Sequence, residues 1–145
     1  MRTDHRHVRA GMTLVEVLAV VVILGILAAT LAIGFGGSIG RSKQNLARTG
    51  IGQIVQRIEA YRIEEGSLPS VDLGLAALSD GHATPTDPYY LGADQLTDPW
   101  GNAYLYVAPG PGGHPYEVIC LGADGVMGGE GENADISSIR LRGDH

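Results

Sequence analysis

The sequence predicts an α+β fold: a long N-terminal helix packed on a small three-stranded antiparallel sheet, with a glycine-rich acidic loop near the C-terminus. Three observations predict it. Val17 to Gly40 is a run of 24 uncharged residues. Apolar residues then recur at three- and four-residue spacings from Leu46 to Tyr61, the period of an amphipathic helix. Beyond a block of turn residues lie two short segments rich in aromatic and β-branched side chains, which is strand composition. With 145 residues and a formal net charge of -6, the chain holds one domain with an appendage. Its acidic balance disfavours nucleic acid as a partner. The single Cys120 excludes an internal disulfide framework.

The first eleven residues carry Arg2, Arg6 and Arg9 against Asp4, a net charge of +2. Met12 to Phe35 follows with 19 apolar residues out of 24. As a helix, the uncharged run extends about 36 Å, enough for a bilayer core of roughly 30 Å. Positive charge before such a run keeps that end cytoplasmic. Residues 66–145 carry two Arg against eleven Asp and Glu, a net of -9, and are expected outside the cytoplasm. The division is therefore 1–11, a basic leader; 12–40, a transmembrane helix; and 41–145, an exported head.

A secretory signal peptide would need a cut among small residues, which Ala28-Ala29-Thr30-Leu31-Ala32 could loosely supply. Glu16 argues against it, because a carboxylate at the start of an apolar run is costly unless something engages it. The stretch Arg9-Ala10-Gly11-Met12-Thr13-Leu14-Val15-Glu16 and the apolar run after it resemble the processing site of type IV pilins and pseudopilins. The resemblance implies that a prepilin peptidase cuts after Gly11 and methylates the new amino terminus of Met12, where the family more often has phenylalanine. It also implies that Glu16 pairs with the terminal amine of a neighbouring subunit. A carboxylate and an ammonium in lipid each cost several kcal/mol alone and offset one another when paired. The plainer alternative is a carboxylate snorkelling at the membrane surface.

Leu46, Ile51, Ile54, Val55, Ile58 and Tyr61 form the apolar face of the helix's second half, with Arg48, Gln53, Arg57 and Glu59 on the others. One helix from about Thr13 to about Glu65 is expected, ending at Gly66 and barred by Pro69. The glycines at 34, 36, 37 and 40 each weaken it by about 1 kcal/mol relative to alanine, so a bend or local unwinding is expected there. In the head, Leu73 to Leu78 reads as a short helix. Residues 103–107 and 116–120 read as strands joined by the turn Pro109-Gly110-Pro111-Gly112-Gly113, and 137–141 as a third strand. Asp98-Pro99-Trp100-Gly101 is a turn, with Trp100 expected to be the largest core residue. Cys120 reads as a small buried hydrophobe, and His82 and His114 as surface residues.

Glu65-Gly66-Ser67-Leu68-Pro69, Gly74-Leu75-Ala76-Ala77-Leu78, Asp98-Pro99-Trp100-Gly101-Asn102-Ala103-Tyr104, Leu121-Gly122-Ala123-Asp124-Gly125 and Ala134-Asp135-Ile136 together resemble the major pseudopilin family of type II secretion. Between Gly122 and Asp135 lie five glycines, four carboxylates (Asp124, Glu130, Glu132, Asp135) and Asn133. Crowded carboxylates repel unless a cation joins them, and glycines let carbonyls turn inward to complete the six to eight oxygens that calcium prefers. Zinc would want the His or Cys that the loop lacks. From composition alone a calcium loop and a solvated flexible loop are equally open. The resemblance implies calcium, held by the side chains of Asp124 and Asp135, the carbonyls of Leu121 and Val126, and a ligand from the Glu130 to Asn133 stretch, for which Asn133 is the candidate.

No phosphate loop, zinc spacing or catalytic triad is present in the sequence, so a non-enzyme is expected. The resemblance implies an inner-membrane subunit that polymerises into a helical pseudopilus filament and promotes export across the outer membrane. Its implied partners are sister copies, minor pseudopilins, an inner-membrane assembly platform and a prepilin peptidase, without nucleic acid. The alternative is a type IV pilin subunit for adhesion, motility or DNA uptake, and the net charge of -9 on residues 66–145 speaks against DNA.

Overall fold

The computed structural model describes residues 12–141, the side chains of residues 31–38 excepted. The leader, with the expected cleavage residue Gly11, lies outside the described residues. Helix α1 spans Leu14–Glu65. Thr13 precedes it, its carbonyl accepting the first helical hydrogen bonds from Glu16 and Val17 at 3.1 and 3.2 Å. Gly66, at φ +73°, ends it in the left-handed conformation that glycine adopts without cost, as expected. The expected unwinding at the glycine cluster does not occur, since helix is assigned through all four positions. Glycine lowers helix propensity but keeps its N–H and C=O, so the hydrogen-bond ladder carries through.

The chain divides into two compact units, Met1–Ser38 and Ile39–His145. In the first, the described part of the helix is apolar around its circumference apart from Glu16 and Thr30, and from Met12 to Leu27 its large apolar side chains are 45–85% exposed. Among the described residues no helix is long and apolar enough to cross a membrane. The expected membrane segment 12–40 includes residues 31–38, whose side chains lie outside those described.

In the second unit, the strands are β1 (Leu105–Val107), β2 (Glu117–Cys120) and β3 (Ile136–Ser137), in the order β1-β2-β3 and antiparallel throughout. Leu105 faces Ile119, and Cys120 faces Ile136. Single 3-10 turns at Gly74–Leu78, Ala93–Leu96, Pro111–Gly113 and Gly131–Asn133 lie in the connections. The first of these is the expected short helix.

One hydrophobic cluster joins Ala47, Ile51, Ile54 and Ile58 of α1 to Val118 and Cys120 of β2, with Leu78, Leu91, Tyr104 and Tyr116 around them. The helix face differs by one position from expectation. Ala47 is fully buried and Leu46 is 61% exposed, because the stripe set by 51, 54 and 58 passes through 47, four residues back, and 46 lies about 100° away around the helix. Trp100 is not the centre of the core. It is half-buried at the periphery, with the Lys43 ammonium 6.0 Å from its ring centroid. The largest fully buried side chain is Tyr116, whose hydroxyl donates to Glu59 Oε1 at 2.7 Å.

The third strand is shorter than expected and begins one residue earlier. Only Ile136 and Ser137 pair with β2, and Ser138–Leu141 forms a helical turn, α2. Two serine hydroxyls explain the break. Ser137 Oγ accepts the Ile139 N–H at 3.2 Å, and Ser138 Oγ takes the Val118 N–H at 2.9 Å. Side-chain acceptors of this kind offer the backbone an alternative to the ladder.

Candidate functional site

The two places singled out by sequence are the N-terminus of α1 and the loop after β2. At the first, Met12 is 66% exposed and Glu16 sits on the first turn. Glu16 has a local partner that sequence reasoning missed. Thr13 N–H donates to Glu16 Oε2 at 3.4 Å, and Glu16 N–H donates to Thr13 Oγ1 at 3.3 Å. This is a capping box, and the Thr-x-x-Glu spacing was the signal for it. A carboxylate there satisfies orphan helix amides and lies at the positive end of the helix dipole.

The loop from Leu121 to Asp135 is closed on itself by backbone contacts. Ala123 N–H donates to the Glu132 carbonyl at 3.0 Å, pinning the two limbs together. Gly122 is buried at φ +69°, and a Cβ there would meet the Asn133 carbonyl oxygen at 2.7 Å. Only glycine fits that crossing. The outgoing limb also rests on α1: Gln44 Nε2 donates to the Gly131 carbonyl, and the Glu132 side chain lies over Gly40.

Within this frame the predicted ligands take distinct places. Asp124, exposed, accepts the Val126 N–H through Oδ1 at 3.1 Å. Asp135, half-buried, accepts the Gly128 N–H through Oδ2 at 2.8 Å, while its Oδ1 is buried with no hydrogen-bond partner among the described residues. Leu121 is half-buried at the end of β2, Val126 is 62% exposed at the loop tip, and Asn133 is exposed, its backbone N–H donating to Glu130 O at 3.1 Å. Among the described residues no group of three or more His, Cys, Asp and Glu gathers to hold a metal. What the loop offers is two carboxylates and backbone carbonyls, an all-oxygen set suited to a hard cation rather than to zinc. A buried carboxylate oxygen left without a donor is the kind of group a bound cation satisfies.

Sequence reasoning also passed over the organiser of the neighbouring turn. Asp98 is 5% exposed. Its Oδ1 accepts N–H groups from Trp100 and Asn102 at 2.9 and 2.8 Å, and its Oδ2 accepts the Cys120 S–H at 3.2 Å. Burial pushes the Cys120 thiol up to about 12, opposed by the Gly122 N–H and reinforced by Asp98. Cys120 is therefore a protonated donor at neutral pH and lacks the thiolate that a nucleophile needs. Gly101 takes φ +97°, as the turn reading requires. His82 is exposed and His114 half-buried.

Residues 35–139 match the family described as type II secretion system (T2SS), protein G, and residues 6–32 match the prokaryotic N-terminal methylation motif. The chain is 38% identical to type II secretion system core protein G of Vibrio cholerae over 138 residues, covering 92% of this chain and 94% of that one. It is 36% identical to the Pseudomonas aeruginosa protein of the same name, covering 92% and 96%. Its fold resembles the crystal structure of the major pseudopilin from the type 2 secretion system of enterohaemorrhagic Escherichia coli, with a TM-score of 0.55 at 22% identity, covering 74% of this chain and 95% of that one. These matches favour secretion over an adhesive or DNA-uptake pilus. The chain belongs to the type II secretion system protein G family.

Proposed function

We propose that the chain is the filament-forming subunit of a type II secretion pseudopilus, anchored in the inner membrane through residues 12–40 and then drawn into a helical polymer that promotes export across the outer membrane. The observation that carries this reading is the exposed apolar surface from Met12 to Leu27, whose one charge is Glu16. A helix apolar on every face needs lipid or other helices around it. Lipid serves the precursor, and sister helices serve the filament. The +2 leader holds the N-terminus in the cytoplasm and the acidic head faces the periplasm. A prepilin peptidase removes residues 1–11 after Gly11 and methylates Met12, a reading supported by the methylation motif over residues 6–32. In this reading the Glu16 carboxylate pairs with the amine of a neighbouring Met12 in the filament. The working partners are further copies of the chain, minor pseudopilins and an inner-membrane assembly platform.

The processing step is tested by sequencing the mature N-terminus. A methylated Met12 is expected, and a start near Ile33 would instead mean an ordinary signal peptide.

The Gly122–Asp135 loop is proposed to hold calcium through the carboxylates of Asp124 and Asp135, the carbonyls of Leu121 and Val126, and Asn133. The unpartnered Asp135 Oδ1 and the oxygen-only donor set support this. When bound, calcium would neutralise the crowded carboxylates and hold the loop in one conformation. The residues themselves fix its limbs through Gly122 and the Ala123–Glu132 bond. Calcium at about 100 times its Kd is expected to stabilise the chain by about 2.7 kcal/mol, read as a melting temperature several degrees higher than in chelator. An identical melt in both buffers removes the site.

A further inference from the structure

Two side chains of the Asp98–Asn102 turn reach across the fold to the start of the acidic loop. Asn102 Nδ2 donates to the Gly122 carbonyl at 2.9 Å. Its Oδ1 lies 3.1 Å from where a Cβ on Gly125 would stand, at a residue with φ +66°. Asp98 grips the same region from below. Its Oδ2 accepts the thiol of Cys120, two residues before Gly122, and its Oδ1 accepts the Asn102 N–H. The Asn102 carbonyl in turn accepts the Asp98 N–H at 2.8 Å, so the turn is a closed unit that cannot shift one contact without the others.

The gripped residues are informative in their position. Gly122 follows Leu121 and Gly125 precedes Val126, the two proposed carbonyl donors, and together they bracket Asp124. Glycines at positive φ have wide conformational freedom; the loop itself holds the amide edges, through Ala123 N–H to the Glu132 carbonyl and Val126 N–H to Asp124, and the Gly122 carbonyl takes its partner from outside the loop. Asn102 is that partner: its Nδ2 holds the Gly122 carbonyl, and its side-chain amide lies against Gly125.

We propose that Asn102 is a positioning residue for the cation loop, orienting the Leu121–Val126 segment while touching no cation itself. The proposal rests on the calcium reading of the loop. Outer-shell groups that orient metal ligands commonly set affinity without contacting the metal, and the Asp98-to-Cys120 bond gives this one a fixed base.

The test uses the full mature chain in detergent, with calcium as the probe and calorimetric titration as the readout. Asn102→Ala and Asn102→Leu are compared with wild type, the leucine keeping the volume while removing the donor. Both are expected to bind calcium about 10- to 100-fold more weakly while melting in chelator close to wild type. Wild-type-like affinity in the leucine variant overturns the proposal, since filling the space would then be enough. A second readout needs no variant: in the wild type, the Asn102 side-chain amide protons should become more protected from exchange on adding calcium. Unchanged protection at saturation overturns the proposal even where a variant fails to fold. If the wild type binds no calcium, the loop reading fails and this one with it; if it binds and the variants match it, only the positioning role fails.

Discussion

Truncating Ile54 to alanine is expected to lower the stability of the folded head by about 2–5 kcal/mol. Ile54 is fully buried and belongs to the cluster that joins the helix to Val118 and Cys120. Removing its three outer carbons loses transfer free energy and leaves a cavity that helix and sheet cannot close together, because each is held by its own hydrogen bonds. The comparison is Leu46→Ala. Leu46 is 61% exposed, so its truncation in the isolated subunit is expected to change stability by no more than about 0.5 kcal/mol. Denaturant unfolding of the detergent-solubilised chain, followed by the fluorescence of its single tryptophan, measures both. Equal losses for the two variants would mean that the buried stripe does not run through 47, 51, 54 and 58.

Replacing Glu16 by alanine or glutamine is expected to abolish filament assembly while leaving the subunit in the membrane. If Glu16 neutralises a neighbour's terminal amine in the filament core, breaking that buried pair costs about 3–5 kcal/mol at each junction, roughly two to four orders of magnitude in the equilibrium for adding a subunit. Glutamine is the decisive variant. It keeps an oxygen that can accept the Thr13 N–H, so the helix cap survives, but it carries no charge. Normal multimer yield from Glu16→Gln, measured by cross-linking of surface-sheared filaments, would leave Glu16 as a helix cap and nothing more.

The two sites were legible in the sequence to different depths. Glu16 is conspicuous because it is the carboxylate at the head of a run of 24 uncharged residues. Its capping partner Thr13 was equally visible at the i, i+3 spacing and is a purely local feature. The loop's glycines and carboxylates announced a binding composition, and its closure by Ala123 and Glu132 follows from their being in one short segment. Asn102 carried no such mark. It lies 20 residues from Gly122, and an asparagine ending a turn is ordinary until the sheet brings β2 beside it. Asp98 is the same case, 22 residues from Cys120. Asp98 reads in the sequence only as the start of a bend, yet it and Asn102 also tie that bend to the acidic loop.

By itself the sequence determined whatever depends on near neighbours along the chain. The extent of α1 follows from apolar periodicity between Thr13 and Gly66, β1 and β2 from their β-branched and aromatic runs, and the exposed apolar helix from a stretch with no charge to solvate. Family membership followed from motifs that are themselves local. Tertiary structure decided where the outcome depends on which surfaces meet. It buried Ala47 in place of Leu46, moved Trp100 to the edge and Tyr116 to the centre, and ended β3 after Ser137 because two serine hydroxyls captured amides that the ladder would have used. It also joined Asp98, Asn102, Cys120 and Gly122 into one network. The physical reason is that hydrogen-bond competition and core packing are settled between residues far apart in sequence, where no spacing rule reaches.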